Sequence, residues 1–161
     1  MPHFASLYNH ACWLSQDRAA AEDLVQETYL KALKGFASFQ QGTNFRAWLY
    51  RILRNTFLTT QAGLKATASF DDADAVAEPA TDETPEAILL ARVEQERLVK
   101  ALEALPMIFR EIILLSDVEE MSYREIGEVL NIPVGTVMSR LSRARKAMRR
   151  LLAATGEEAT A

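Results

Sequence analysis

The sequence predicts an all-α protein: two small helical domains joined by a flexible acidic linker. Three observations carry that reading. Apolar residues recur three and four positions apart in several segments, and the period-two alternation of a half-buried strand is absent. The stretch from about 61 to 86, QAGLKATASFDDADAVAEPATDETPE, loses that periodicity and collects acids, alanines and two prolines, a composition with little tendency to pack. Residues 122–152 begin with a helix-start signal, pass a turn of a few residues and continue as a long basic segment. The resulting boundaries are 1–60, 61–86 and 87–155.

In the first domain Phe4, Leu7, Tyr8, Ala11 and Leu14 are spaced for one face of a helix. Residues 15–17 break it, and Asp17 caps a second helix that runs to Gly35. Leu24, Val25, Tyr29, Ala32 and Phe36 are placed to face a core. Asp23, Gln26, Glu27 and Leu30 fall together at i, i+3, i+4 and i+7 on another side. Periodicity alone reads that side as a solvated acidic face, because acids suit the first turns of a helix.

A polar loop, SFQQGTN at 38–44, precedes a strongly amphipathic helix. Phe45, Trp48, Leu49, Ile52, Leu53, Thr56 and Phe57 make its apolar stripe. The opposite side carries Arg46, Tyr50, Arg51, Arg54 and Asn55. Cations with an aromatic beside a polar loop suit single-stranded nucleic acid, where bases stack and phosphates are paired.

Past Pro85, Ile88, Leu89, Val93, Leu98, Leu102 and Leu105 mark a helix, and Pro106 starts another, PMIFREIILLSDV. Ile108, Ile112 and Leu115 are placed to pack under the segment that follows. In that segment Ser122 and Glu125 form a capping box, and Ile126, Val129 and Leu130 make a buried stripe. Gly127 costs about 1 kcal/mol of helix propensity against Ala, which implies a close approach there. Asn131 suits the left-handed residue that ends a helix, and Pro133 the start of the next. Two helices joined this tightly make a helix-turn-helix. The second helix buries Val137, Leu141, Ala144 and Met148 and displays Thr136, Ser139, Arg140, Ser142, Arg143 and Lys146. Residues 140–150 hold six Lys or Arg and no acid. Hydroxyls and guanidiniums on a recognition helix point to duplex DNA. The tail, ATGEEATA, reads as frayed.

The net charge of −4 over 161 residues conceals a split. Lys plus Arg against Asp plus Glu is 7 to 4 over 1–65, 0 to 7 over 66–91 and 11 to 11 over 92–161. Surface potential follows local charge within a Debye length of about 8–10 Å, so the mean does not exclude a nucleic-acid partner. One cysteine, Cys12, excludes an intrachain disulfide and a multi-cysteine metal site; beside Trp13 it reads as a small buried hydrophobe. His3 and His10 lack a nucleophile nearby, and no phosphate loop or metal-ligand cluster is present. No enzyme activity and no cofactor are expected. No apolar run approaches the roughly 20 residues of a membrane span. The start MPHFASLYNH lacks signal-peptide character, so a cytoplasmic protein is expected.

With these residues in view, the chain resembles the extracytoplasmic-function (ECF) group of sigma-70-type RNA polymerase sigma factors. AEDLVQETYLKAL (21–33) resembles the family's polymerase-binding helix. GTNFRAWLYRILRNTF (42–57) resembles its −10 segment, and residues 105–145 its −35-reading domain. The resemblance implies that Asp23, Gln26, Glu27 and Leu30 grip the β′ clamp helices of core polymerase, with the β flap as a second contact. It implies −10 contacts by Phe39, Gln40, Thr43, Asn44, Arg51 and Asn55, with Trp48 mainly structural. It implies −35 contacts by Thr136, Ser139, Arg140, Ser142, Arg143 and Lys146. The implied partners are core polymerase, promoter DNA and an anti-sigma factor, with no membrane insertion.

The chain departs from the family in three places. Its first helix starts almost at Met1, Lys65 stands alone after the second motif, and Met138 occupies a position where relatives often carry a cation. Two rivals follow from the same residues. One is a sigma mimic that titrates an anti-sigma factor; the other is a helix-turn-helix regulator independent of polymerase, which leaves the 21–57 motifs unexplained.

Overall fold

The computed structural model describes residues 3–39, 44–67 and 85–160. Helix α1 spans Phe4–Ser15 and α2 spans Arg18–Gly35, followed by a 3₁₀ turn, Phe36–Ser38. Helix α3 spans Phe45–Thr67 and α4 Pro85–Ala104. Helix α5, Met107–Ile113, widens into a π turn, Leu114–Val118; α6 is Tyr123–Leu130 and α7 Val134–Thr160. Every regular element among the described residues is helical, as the patterning predicts. Residues 61–67, assigned above to the linker, continue α3.

Local chemistry sets the helix ends. The Asp17 carboxylate accepts from the Ala19 N–H at 3.0 Å, capping α2. At Ser122 the capping box is complete: its hydroxyl accepts the Glu125 N–H, and the Glu125 carboxylate accepts the Ser122 N–H. Asn131 takes the left-handed conformation (φ 57°, ψ 50°) and stops α6. A Cβ on Gly127 would lie 2.9 Å from the Ile132 carbonyl oxygen. The close approach expected at Gly127 is therefore made by the turn folding back, more than by a crossing helix. The π turn is fixed by the Glu119 N–H donating to the Leu114 carbonyl at 2.9 Å, five residues back.

The front helices bury Leu7, Ala11, Leu24, Val25, Leu49 and Leu53, and the rear helices bury Leu105, Ile112, Leu115, Ile126, Val137 and Leu141. These belong to one continuous apolar cluster. The front and rear modules are packed together, with α3 along α6 and α1 touching α5. Arg110, buried on α5, reaches across: its guanidinium donates to the carbonyls of Trp13, Leu102 and Leu105.

That packing explains most departures from the single-helix patterns. Tyr50, placed above on the open side of its helix, is 0% exposed, because α1, through His10, and the rear module, through Glu119, both cover that side of α3. Phe36 was expected in the core and is exposed, carried out by the 3₁₀ turn after Gly35. Val93, Leu98 and Ile108 are also exposed. The last residues continue α7 to Thr160 instead of fraying. Cys12 is half-buried and packs against the core cluster.

His10 is buried edge-on to the Tyr50 ring, with centroids 5.2 Å apart. Burial pushes its imidazole down to about 4 from an ordinary 6.5. Between those values the unfolded chain binds a proton that the folded chain refuses, so stability falls as pH drops through 6.5. Urea unfolding is expected to show about 2 kcal/mol less stability at about pH 5 than at about pH 7 from this residue. His10→Phe should remove that component; an unchanged acid loss in the variant would assign it elsewhere.

Candidate nucleic-acid interface

The acidic side of α2 stands clear of the core. Ala21, Leu24, Val25, Thr28 and Ala32 anchor the helix, and Asp23, Gln26, Glu27 and Leu30 are all exposed on its other side. Glu27 pairs with Lys31 at 3.6 Å, an exposed pair of little energetic consequence. Leu33 and Phe36 extend this surface, and Leu33 is 73% exposed. Both were missed as site residues. Leu33 lies three residues past Leu30 and seven past Gln26, so the stripe of exposed positions already contained it.

On the next surface, Phe39 and Asn44 are described, while Gln40 and Thr43 lie outside the described residues. Phe39 sits in an aromatic nest, its ring 4.9 Å from Trp48, 5.5 Å from Phe45 and 6.2 Å from Phe36. Asn44 is held from both sides of its amide. Its Oδ1 accepts the Ala47 N–H at 3.2 Å, and its Nδ2 donates to the Glu125 carboxylate at 2.6 Å. A recess of about 240 Å³ opens among Phe39, Asn44, Trp48, Arg51 and Glu128. An aromatic wall beside a cation is the chemistry that stacks a nucleobase and pairs a phosphate. Arg51 and Asn55 are exposed beside it.

The other cations of α3 are engaged. Arg54 forms a two-pronged pair with Glu111, Nε to Oε2 at 2.9 Å and Nη2 to Oε1 at 3.1 Å. Arg46 donates to the Glu119 carboxylate at 2.8 Å and to its carbonyl. Glu111 is buried, which pushes its carboxyl up; Arg54 and, more weakly, Arg140 pull it back down. Arg46 and Arg54 therefore hold the rear module in this structure.

The third surface is the first half of α7. Val137, Leu141 and Ala144 seat the helix, and Ser139, Ser142, Arg143 and Lys146 are exposed, with Thr136 and Arg140 half-exposed. Ser139 donates to the Thr136 carbonyl at 3.2 Å and Arg143 to the Ser139 carbonyl at 3.4 Å, so both polar groups stay at the helix surface. Val134 and Met138 are exposed beside them, apolar groups of the kind that contact a thymine methyl. Arg145 is drawn away toward Asp117, 2.9 Å distant. No cluster of three or more metal-ligating side chains occurs among the described residues.

Comparison with known proteins agrees with this geometry. Residues 2–74 match the model of Sigma-70 region 2, and residues 95–148 that of Sigma-70 region 4. The chain is 38% identical over 159 residues to the ECF RNA polymerase sigma factor SigE of Mycolicibacterium smegmatis, covering 97% of this chain and 61% of that protein. It is 37% identical to the ECF RNA polymerase sigma factor EcfG of Rhodopseudomonas palustris, covering 95% of this chain and 82% of that one. Among solved structures it is similar to the sigma factor RpoE of Bartonella quintana in complex with the anti-sigma factor NepR. The TM-score is 0.76 and the identity 31%, covering 92% of this chain and 91% of that chain. The chain belongs to the extracytoplasmic-function group of sigma-70-family RNA polymerase sigma factors.

Proposed function

We propose that this chain is a promoter-specificity subunit, acting in the cytoplasm, that directs core RNA polymerase to its promoters and initiates transcription. In this reading Asp23, Gln26, Glu27 and Leu30, with Leu33 and Phe36, seat α2 on the β′ clamp helices. The α3 side, with Phe39, Gln40, Thr43, Asn44, Arg51 and Asn55, captures the melted −10 strand. Extruding a base costs a few kcal/mol, which stacking and hydrogen bonds in an aromatic recess offset. Helix α7 reads the −35 major groove through Thr136, Ser139, Arg140, Ser142, Arg143 and Lys146 while the rear module meets the β flap. An anti-sigma factor holds the subunit inactive, by analogy with RpoE and NepR. The proposed domain division is region 2 over 1–60, with α3 running on to Thr67, a linker beyond it up to residue 86, and region 4 over 87–155.

The observation that carries this reading is the exposed face of α2. Two carboxylates and an amide stand beside Leu30 and Leu33 with no helix over them among the described residues, on a helix whose opposite side is packed. Exposed apolar groups that adjoin one another, rimmed by polar side chains, mark a surface that another macromolecule covers.

Asp23→Ala combined with Gln26→Ala is the direct test. Affinity for core polymerase is expected to fall about tenfold or more, while binding of −35 duplex is unchanged. Equal core affinity in the double variant would remove this face from the polymerase interface.

A further inference from the structure

Helix α7 has two unlike sides at its start. Thr136, Arg140 and Arg143 follow one another at i, i+4 and i+7 and give one side a hydroxyl and two guanidiniums. Val134 and Met138, at i and i+4, begin the other and are 44% and 54% exposed. Arg145 lies seven residues past Met138 on that same side. Its guanidinium is held by Asp117 at 2.9 Å and by Ser116 at 3.4 Å, against the π turn. The side that carries Val134 and Met138 is therefore left apolar at the start of the helix.

Gly135 sits between the two apolar residues. A Cβ there would meet nothing within 4 Å, and its backbone is not left-handed, so neither packing nor conformation within the chain calls for a glycine. In a helix it costs propensity against Ala. What it provides is close approach from outside, because a partner can reach the backbone between Val134 and Met138. The N-terminal turns of a recognition helix are the ones that meet base edges. In the major groove the distinctive apolar group is the C5 methyl of thymine, and the other features that mark a base are donors or acceptors. Against Val134 and Met138 a donor or acceptor would lose its water without gaining a partner, whereas a methyl group loses only apolar surface.

We propose that Met138, seated beside Val134 and Gly135, is a specificity-determining residue that reads a thymine methyl group in the −35 element. Its unbranched thioether chain adapts to the position of the methyl, and Val134 closes the contact from the preceding turn. Promoters of this chain then carry a thymine, on one strand or the other, at the base pair under the start of α7. This role rests on α7 as the −35 helix and deepens it. Ser139, Arg140 and Arg143 address polar base edges and phosphates, and the apolar side adds a preference of a different kind.

The test uses the full chain bound to core polymerase, offered a pool of duplexes of random sequence at one fixed salt concentration. The recovered duplexes are expected to share a −35 element that contains thymine. The tightest of them is then remade with deoxyuridine in place of each such thymidine in turn, which removes the methyl group and leaves every donor and acceptor in place. Burial of one methyl group corresponds to about a fourfold change in affinity, so at one position the uracil duplex should bind about fourfold more weakly. Met138→Ala should bind the two duplexes equally, and Met138→Leu, equally apolar, should keep the preference. Met138 is 54% exposed, so the alanine variant keeps the fold. A parent that binds thymine and uracil duplexes alike overturns the proposal, as does a preference that survives Met138→Ala. Recovery of a −35 element without thymine refutes the methyl contact alone. A chain that enriches no sequence with core polymerase refutes the −35 role, and the methyl contact with it.

Discussion

Alanine in place of Arg54 is expected to lower the melting temperature at neutral pH by roughly 10 °C. The side chain is only 16% exposed and its partner Glu111 only 1%, so removing the guanidinium leaves a carboxylate in the packed interface between modules. Stranding one partner of a buried pair costs about 3 kcal/mol or more. The loss should also depend on pH. Burial already raises the Glu111 carboxyl above its ordinary 4.5, and Arg54 is the leading influence pulling it back. Without Arg54 the folded protein holds a proton there that the unfolded chain has released. Between 4.5 and the raised value the folded state binds more protons, so the variant loses stability as pH rises through that window. The gap between variant and parent should therefore narrow from about pH 8 to about pH 5. A gap of only a degree or two at neutral pH, or one independent of pH, would contradict the assignment of Arg54–Glu111 as a buried pair.

Leu33→Asp is expected to leave the fold intact and weaken capture of core polymerase by about 30-fold or more. Leu33 is 73% exposed, so its replacement changes stability by no more than about 0.5 kcal/mol. In the proposed complex the same position is buried among apolar groups. A carboxylate there loses an anchor contact and leaves a desolvated charge, together about 2 kcal/mol or more. Binding of labelled protein to core polymerase, beside a urea unfolding curve, measures both quantities. Unchanged core affinity with unchanged stability would take Leu33 and its neighbour Leu30 out of the interface.

Much of the fold was legible wherever a signal is local. The Asp17 cap, the Ser122 and Glu125 capping box and the left-handed Asn131 each depend on side chains within a few residues, and the structure shows all of them. The exposed sides of α2 and α7 were legible for the same reason, since each is the complement of a packed stripe. What failed was any inference needing knowledge of a partner surface. Tyr50 and Arg54 fall on the polar side of α3 by periodicity, but a single helix pattern does not reveal that His10 and acids such as Glu111 and Glu119, 57 residues beyond Arg54 and 73 beyond Arg46, cover that side. Phe36 was misplaced because a 3₁₀ turn changes the angular step after Gly35. Leu33 was overlooked because an apolar residue in a helix is ordinarily assigned to the core, although its spacing from Gln26 and Leu30 puts it on the same exposed stripe.

The measurement that bears most directly on the central claim is run-off transcription of genomic DNA by core polymerase, with and without the purified chain. The account predicts start sites that appear only when the chain is present and that disappear with Asp23→Ala plus Gln26→Ala. A chain that produces no start site with core polymerase, yet relieves inhibition of another sigma factor by its anti-sigma partner, would contradict it and identify a decoy.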